Sequence, residues 1–338
     1  MVRLTIFAPS LFAELADLSA ESVDSRKWPW LAKLIARART HRLSGHSSEN
    51  NLLELCGFDT RRNAAPIAAL TSLIDFESCD DTDLMRIDPV YLRADPNQIL
   101  LFNAPSITPS AVEADSLLEA INLALPELSI YRGRHPARWY INSNFAHGAT
   151  TYSPFAANGR SIADFQPQGT AAQNLARVVN EIQMLFHDAT VNLEREREGR
   201  PPINSVWPWG AGAIRQSKDD VPTLLVGNDC VLVGVARHTN TDWQSQLDIA
   251  QFVQQGSAPK AHVLCVFGSP HGAATGDEAP PSLDEFDQQW AKPIVGLLRQ
   301  FKLQSVRLVT DRESHRLTPR DIYCVWRRPT SNSGSLSD

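Results

Sequence analysis

Residues 192–212 read NLEREREGRPPINSVWPWGAG, a charged helix end followed by a break and a tryptophan-bearing strand. A charged helical run ends at Gly199, and Pro201-Pro202 prevent the helix from continuing. Asn204 leads into a short strand that carries Trp207 and Trp209 around Pro208, and Gly210-Ala211-Gly212 closes it. Tryptophan is costly to leave exposed, and its indole N–H needs a partner once buried. Glycine has no Cβ, so a Gly-x-Gly turn lets the backbone come close to something else. Two readings stay open. One is a strand ending in a loop that binds a polar or anionic ligand. The other is a core strand with aromatic anchors and a tight turn.

On either side of this stretch, strands and helices alternate. Apolar strands are expected at Leu4–Ala8, Thr223–Val226, Val231–Val233, Val263–Phe267 and Ser305–Thr310. Helical spacing appears at Trp28–Ala38, Asn50–Leu55, Pro66–Ile74, Val112–Leu125, Thr170–His187 and Ser282–Phe301, with Thr108 read as the N-cap of the fourth. Val90–Ala94 and Gln98–Phe102 form a hairpin around Asp95-Pro96-Asn97. The segment 142–169 is rich in Ser, Asn, Gly and Pro and long for an idle connection, which suggests a lid or binding loop. The alternation predicts an α/β fold with a mainly parallel central sheet and helices on both faces. The tail 327–338 is polar and Ser-rich, the composition of a disordered segment.

The 338 residues are 43% hydrophobic and 21% charged, with a net charge of −6. That balance argues against a duplex nucleic-acid binder, which carries a basic face. No apolar run is long enough to cross a bilayer, and the first residues do not read as a signal peptide. The five cysteines, Cys56, Cys79, Cys230, Cys265 and Cys324, are widely and irregularly spaced, as in a reduced cytoplasmic protein.

Several segments, in order, resemble the archaeal-type cofactor-independent phosphoglycerate mutases of the alkaline phosphatase superfamily. Ser48-Glu49 before NNLLELCGFD resembles the family's Ser-Asp, helix, Leu-Gly-Tyr-Asp segment. DPVYLRADPNQILLF (88–102) is similar to its Phe-Arg-Cys-Asn strand, and YRGRHPARW (131–139) to a Tyr-Pro-Gly and Tyr-Arg-His segment. The stretch from Asn192 resembles its Asn, Pro-Pro-Ala-Asn and Trp-Gly-x-Gly signature, and 286–311 its terminal helix, strand and Asp-His segment. The likeness implies an alkaline-phosphatase-like core over 1–75 and 190–326, with a smaller inserted α+β subdomain over 76–189 on the substrate side. Bacterial relatives of this kind are labelled phosphoglycerate mutase or Rpf-type regulatory protein.

Such mutases use two divalent metals, Mn or Zn, to activate a Ser or Thr nucleophile and clamp phosphoryl oxygens. Here the expected ligands depart from pattern. The first strand ends in Phe7-Ala8-Pro9-Ser10 where the family has Asp. GSPHGAATGD (268–277) holds His271 and Asp277 out of register, and Asp311 is followed by Arg312 where His belongs. The reading is a degenerate metal site with no resident cofactor. Asp311 and Asp277 are the surviving candidate ligands, and a surface turn is the other reading of Asp311. Ser48 falls at the nucleophile position, and its other reading is a helix N-cap, which Ser-Glu-Asn-Asn fits well.

On the substrate side, the resemblance gives Arg93, Arg138, Asn192, Asn204, Trp207, Trp209 and Gly210 as residues that bind or surround an anion. Arginine suits phosphate and carboxylate through its planar fork of donors. Arg93 also fits an ion pair with Asp88 or Asp95, and the asparagines fit turn capping. The expected partners are a phosphorylated small molecule or another protein, the latter through the tryptophans. The functional expectation is a phosphoglycerate-mutase-like pseudoenzyme that acts as a sensor, regulatory or interaction protein. An active metal-dependent mutase or phosphotransferase with substituted ligands, among them His271 and His315, stands beside it.

Overall fold

A computed structural model describes residues 2–9, 11–12, 23–43, 47–60, 64–77, 83–103, 107–215, 221–254, 261–274 and 280–323. Asp277 and the tail 327–338 lie outside the described residues. The chain forms two compact units, Met1–Phe58 with Ser217–Asp338, and Asp59–Gln216. Strands are numbered along the chain: β1 (Val2–Phe7), β2 (Arg39–Arg42), β3 (Leu84–Asp95), β4 (Gln98–Phe102), β5 (Tyr131–Arg132), β6 (Trp139–Asn142), β7 (Ala149–Thr150), β8 (Gln168–Gly169), β9 (Ser205–Trp209), β10 (Leu224–Val226), β11 (Asp242–Gln244), β12 (His262–Val266), β13 (Leu303–Val309) and β14 (Glu313–Leu317).

The first unit is built on a sheet of order β11-β10-β12-β1-β13-β14-β2. The first five in that order run parallel, while β14 is antiparallel to β13 and to β2. The central strands read as near-continuous apolar runs because both faces are covered. In VRLTIF only Arg3 is not fully buried. Leu4, Ile6, Val263 and Val306 pack with Leu31, Leu34, Ile294 and Leu298 of the flanking helices. The connection after β10 runs to the sheet edge at β11, and the one after β12 runs past β1 to β13.

Local chemistry explains where these helices begin. Trp28 has no capping side chain, so the helix Pro29–Ile35 borrows Asp287, whose Oδ1 accepts from the backbone N–H of Trp30 and Leu31 at 3.0 and 2.7 Å. The run Val231–Val233, expected as a strand, lies within the helix Cys230–Thr239. Asp229 caps it by accepting from Val231 and Leu232, and Asn240 ends it in the left-handed region. A short apolar run does not separate buried strand from buried helix, and here the cap decides.

In the second unit, β4-β3-β6-β5 form an antiparallel sheet, and β9 also pairs with β3 over Arg86–Val90. The helices Ala111–Ala124 and Ala172–His187 lay Leu117, Ile121, Ile182 and Phe186 against Ile87, Trp139, Ile141 and Val206. The cap of the first of these is Ser110, in a reciprocal capping box with Glu113, two residues beyond the expected Thr108. The sequence reading put the unit boundaries at 75/76 and 189/190. The helix Ile67–Asp75 and β9 belong instead to the second unit, because β9 pairs with β3 and Asp75 is the counter-ion of Arg138. The segment 142–169 is tied to β4: Gly159 donates to Leu101 O and Leu101 to Arg160 O.

Candidate functional site

In the first unit, the carboxyl ends of β12 and β13 and the start of the helix Ser48–Leu55 bring polar groups together. Asp229 and His271 are both wholly buried, and Asp229 Oδ2 lies 3.0 Å from His271 Nδ1 while accepting the His271 backbone N–H at 2.9 Å. Burial alone would push the imidazole below its ordinary value. The carboxylates of Asp229, Glu49 and Asp311 outweigh it, so His271 is held above that value. Asp311 is held above the ordinary carboxylate range, chiefly by burial, against the opposing pull of the Ser48 hydroxyl and of His271.

Ser48 is not the N-cap of its helix. Ser47 is, its Oγ accepting from Asn50 N–H at 3.3 Å. Ser48 therefore occupies the first helical position. Its Oγ is shielded from solvent and close enough to Asp311 to lower that group's pKa, although it makes no well-formed hydrogen bond. Asn51 ties the same helix to the β13 loop by donating to Asp311 O at 3.1 Å. The structure thus brings together Ser48 and Asp311, expected from the sequence, with Glu49, Asp229 and His271.

This donor set does not fit the two metals that the resemblance implies. Where β1 should present a carboxylate it presents Ala8, buried and donating its N–H to Val309 O. Asp229 engages His271 Nδ1, so this ring could offer a cation its Nε2 alone. His315 lies within β14, its Nδ1 3.0 Å from Thr40 Oγ1 and its Nε2 3.3 Å from Glu313. Among the described residues, no three His, Cys, Asp or Glu side chains come together so as to enclose a cation. The described cysteines Cys56, Cys230 and Cys265 are buried thiols, and burial pushes Cys56 and Cys265 far above the ordinary thiol range.

In the second unit, the expected anion-side residues hold the fold. Arg138 is a buried counter-ion: its Nε and Nη2 donate to Asp75 at 2.8 and 2.7 Å. Burial raises the Asp75 pKa, but Arg138 and the Tyr140 hydroxyl outweigh it and hold the carboxyl below its usual range. Asn192 Nδ2 donates to the carbonyls of Phe186 and Ile203, and its Oδ1 accepts Ile203 N–H. Asn204 clamps β3 by exchanging two hydrogen bonds with the backbone of Leu92. Trp207 and Trp209 are 6% and 2% exposed, so within this unit neither offers the open aromatic surface of an interface hot spot. Their indole N–H groups donate to Tyr152 O and Asp88 Oδ2.

The Gly-x-Gly turn brings the backbone close to the unit's own chain. Gly210 has φ +71°, its carbonyl accepts Ala68 N–H, and a Cβ there would lie 2.9 Å from Ile67 Cβ. Gly210→Ala is accordingly expected to cost about 1–3 kcal/mol, read as a shift in the chemical denaturation midpoint. Arg93 alone of this group is exposed on a strand face, pairing with Asp95 at 3.2 Å and lying 4.9 Å over the Phe102 ring.

The sequence reading did not single out Asp229, Glu49 or Asp75. An Asn-Asp pair between an apolar strand and an apolar helix signals a cap, so Asp229 could have been found as one. Nothing local marks Asp75 as the partner of a residue 63 positions away.

None of the protein-family models searched matches the chain. It is 27% identical over 277 residues to a probable 2,3-bisphosphoglycerate-independent phosphoglycerate mutase of Geobacter sulfurreducens, covering 74% of this chain and 68% of that protein. It is 30% identical over 170 residues to 2,3-bisphosphoglycerate-independent phosphoglycerate mutase 2 of Methanothermobacter thermautotrophicus, covering 47% of this chain but 40% of that protein. Among solved structures, the PH0037 protein of Pyrococcus horikoshii shares the fold at a TM-score of 0.50 and 12% identity, over 94% of this chain and 87% of that one. By these comparisons the chain is similar to the cofactor-independent phosphoglycerate mutases in sequence, and it shares its fold with the PH0037 protein.

Proposed function

We propose that this chain is a family member without two-metal phosphoryl transfer, a non-catalytic sensor, regulatory or interaction protein that binds a phosphorylated or carboxylate ligand. The observation that carries the reading is the buried Asp229–His271 pair beside Asp311, together with Ala8 at the end of β1. A two-metal centre draws its charge balance from cations held by several carboxylates and imidazoles. Here the wholly buried His271 ring pairs with the wholly buried Asp229 carboxylate, which supports the view that the protein balances that charge itself. Arg93, half exposed and held by a weak surface pair, is the anion-binding group of this reading. Buried thiols and the absence of any described helix long and apolar enough to span a membrane accord with a cytoplasmic setting.

The test combines calorimetric titration of Mn²⁺ and Zn²⁺ with assay of 3-phosphoglycerate isomerisation. The expected result is no stoichiometric two-metal binding and no metal-dependent turnover, with 3-phosphoglycerate affinity reduced about tenfold by Arg93→Ala. The second reading, an active metal-dependent mutase or phosphotransferase, is favoured by one observation: the shielded Ser48 Oγ beside Asp311 at a helix start. Two bound metals, with turnover abolished in Ser48→Ala, would establish that reading in place of the first.

A further inference from the structure

We propose that the first unit carries a ligand site at the carboxyl ends of β10 and β12, built for an uncharged polar ring, a nucleoside or a sugar. These strands are the switch point of the sheet: the connection after β10 runs outward to β11, and that after β12 runs inward past β1 to β13. Diverging connections leave a crevice beyond the strand ends, the place where open α/β sheets bind ligands. A cavity of about 350 Å³ lies there, within the range of small-molecule sites. Ser48, Asp229, His271 and Asp311 are not among its lining residues.

The walls define the chemistry. Gly227 ends β10 with φ +132°, and a Cβ there would lie 2.5 Å from Val266 O, so glycine is required for the two strand ends to meet this closely. Ser245 and Gln289 supply a hydroxyl and an amide that can both donate and accept, and the Ser269 hydroxyl donates to Asn228 O. Trp290 supplies an aromatic surface, fixed edge-on by Phe267 at 4.7 Å and 89°. No lysine, arginine or histidine lines the cavity among the described residues, and its carboxylate, Glu285, accepts from the Ser282 N–H and hydroxyl. A phosphate would find no cation here and would face that carboxylate. An uncharged ring can pack on Trp290 and exchange hydrogen bonds with the Ser245 hydroxyl and the Gln289 amide.

Saturation-transfer NMR and calorimetry on the full chain, with adenosine, glucose and adenosine monophosphate as probes, test this. One uncharged ring is expected to bind, and which of the two binds identifies the source. The monophosphate should bind at least about tenfold more weakly than its nucleoside. Ser245→Trp, at an exposed loop position, should abolish binding, and Gln289→Ala should weaken it about five- to tenfold, with circular dichroism unchanged in both. Failure of both rings to bind at millimolar concentration would overturn the proposal. So would binding that survives Ser245→Trp, or equal affinity for nucleoside and monophosphate.

Discussion

Arg138→Met is expected to destabilise the second unit by about 3–5 kcal/mol, because it leaves Asp75 charged and buried without its partner. The Asp75 side chain is fully buried, and its oxygens accept from Arg138, from the Tyr140 hydroxyl at 2.6 Å and from Arg134 N–H at 3.1 Å. Gly133 is packed against the same carboxylate, where a Cβ would lie 2.3 Å from Asp75 Oδ2. The pH dependence separates charge from packing. In the native chain the Asp75 pKa is lowered on folding, so its stabilisation is present above the unfolded value of about 4 and is lost as pH falls through the folded value. In Arg138→Met the guanidinium is gone and burial dominates, so the folded pKa rises. The variant should then recover part of its lost stability as the solution is acidified from pH 8 toward 5. Urea denaturation followed by tryptophan fluorescence across that range checks both signs. A loss below 1 kcal/mol, or one independent of pH, would contradict this account.

Trp209→Ala should cost a similar amount, about 3–5 kcal/mol, through a different mechanism. The ring lies beneath the Arg86 guanidinium at 4.8 Å and edge-on to Phe155 at 5.8 Å, and its N–H donates to Asp88 at 2.8 Å. Burial holds the Asp88 pKa above the usual carboxylate range even though Arg86 donates to both of its oxygens. Removing the indole therefore opens a large cavity and takes a donor from an already desolvated carboxylate. Trp209→Phe keeps most of the packing and loses the donor, and should fall between, at about 1–3 kcal/mol. Equal stability of the Ala and Phe variants would show that packing contributes little there.

The parallel core was legible because strands covered on both faces carry apolar runs that need no partner to be recognised, as in VRLTIF and HVLCV. Val231–Val233 misled because three consecutive apolar residues fit a strand or a buried helix equally well, and the Asp229 cap is what resolves them. Ser47 and Ser48 stand side by side, and backbone geometry decides which one caps. The departures at Ala8 and Arg312 were readable position by position against the family pattern. The assembly of Ser48, Asp229, His271 and Asp311 was not, because it depends on how β12 and β13 align across β1. The same limit hid the Asp75–Arg138 pair. The roles of Asn192 and Asn204 were open in the sequence because an amide bonds backbone and ligand equally well; here each bonds backbone.

The position of β1 between β12 and β13 also has a consequence during synthesis. Both neighbours are translated roughly 250 residues or more after it, which at about 5–20 residues per second leaves β1 without either for on the order of 13–50 s. In that interval the whole continuous unit Asp59–Gln216 emerges and can complete its own sheet. The nascent chain thus holds one finished globule behind an apolar strand that still awaits both neighbours, so the time during which a ribosome-associated chaperone is most needed is set by strand order.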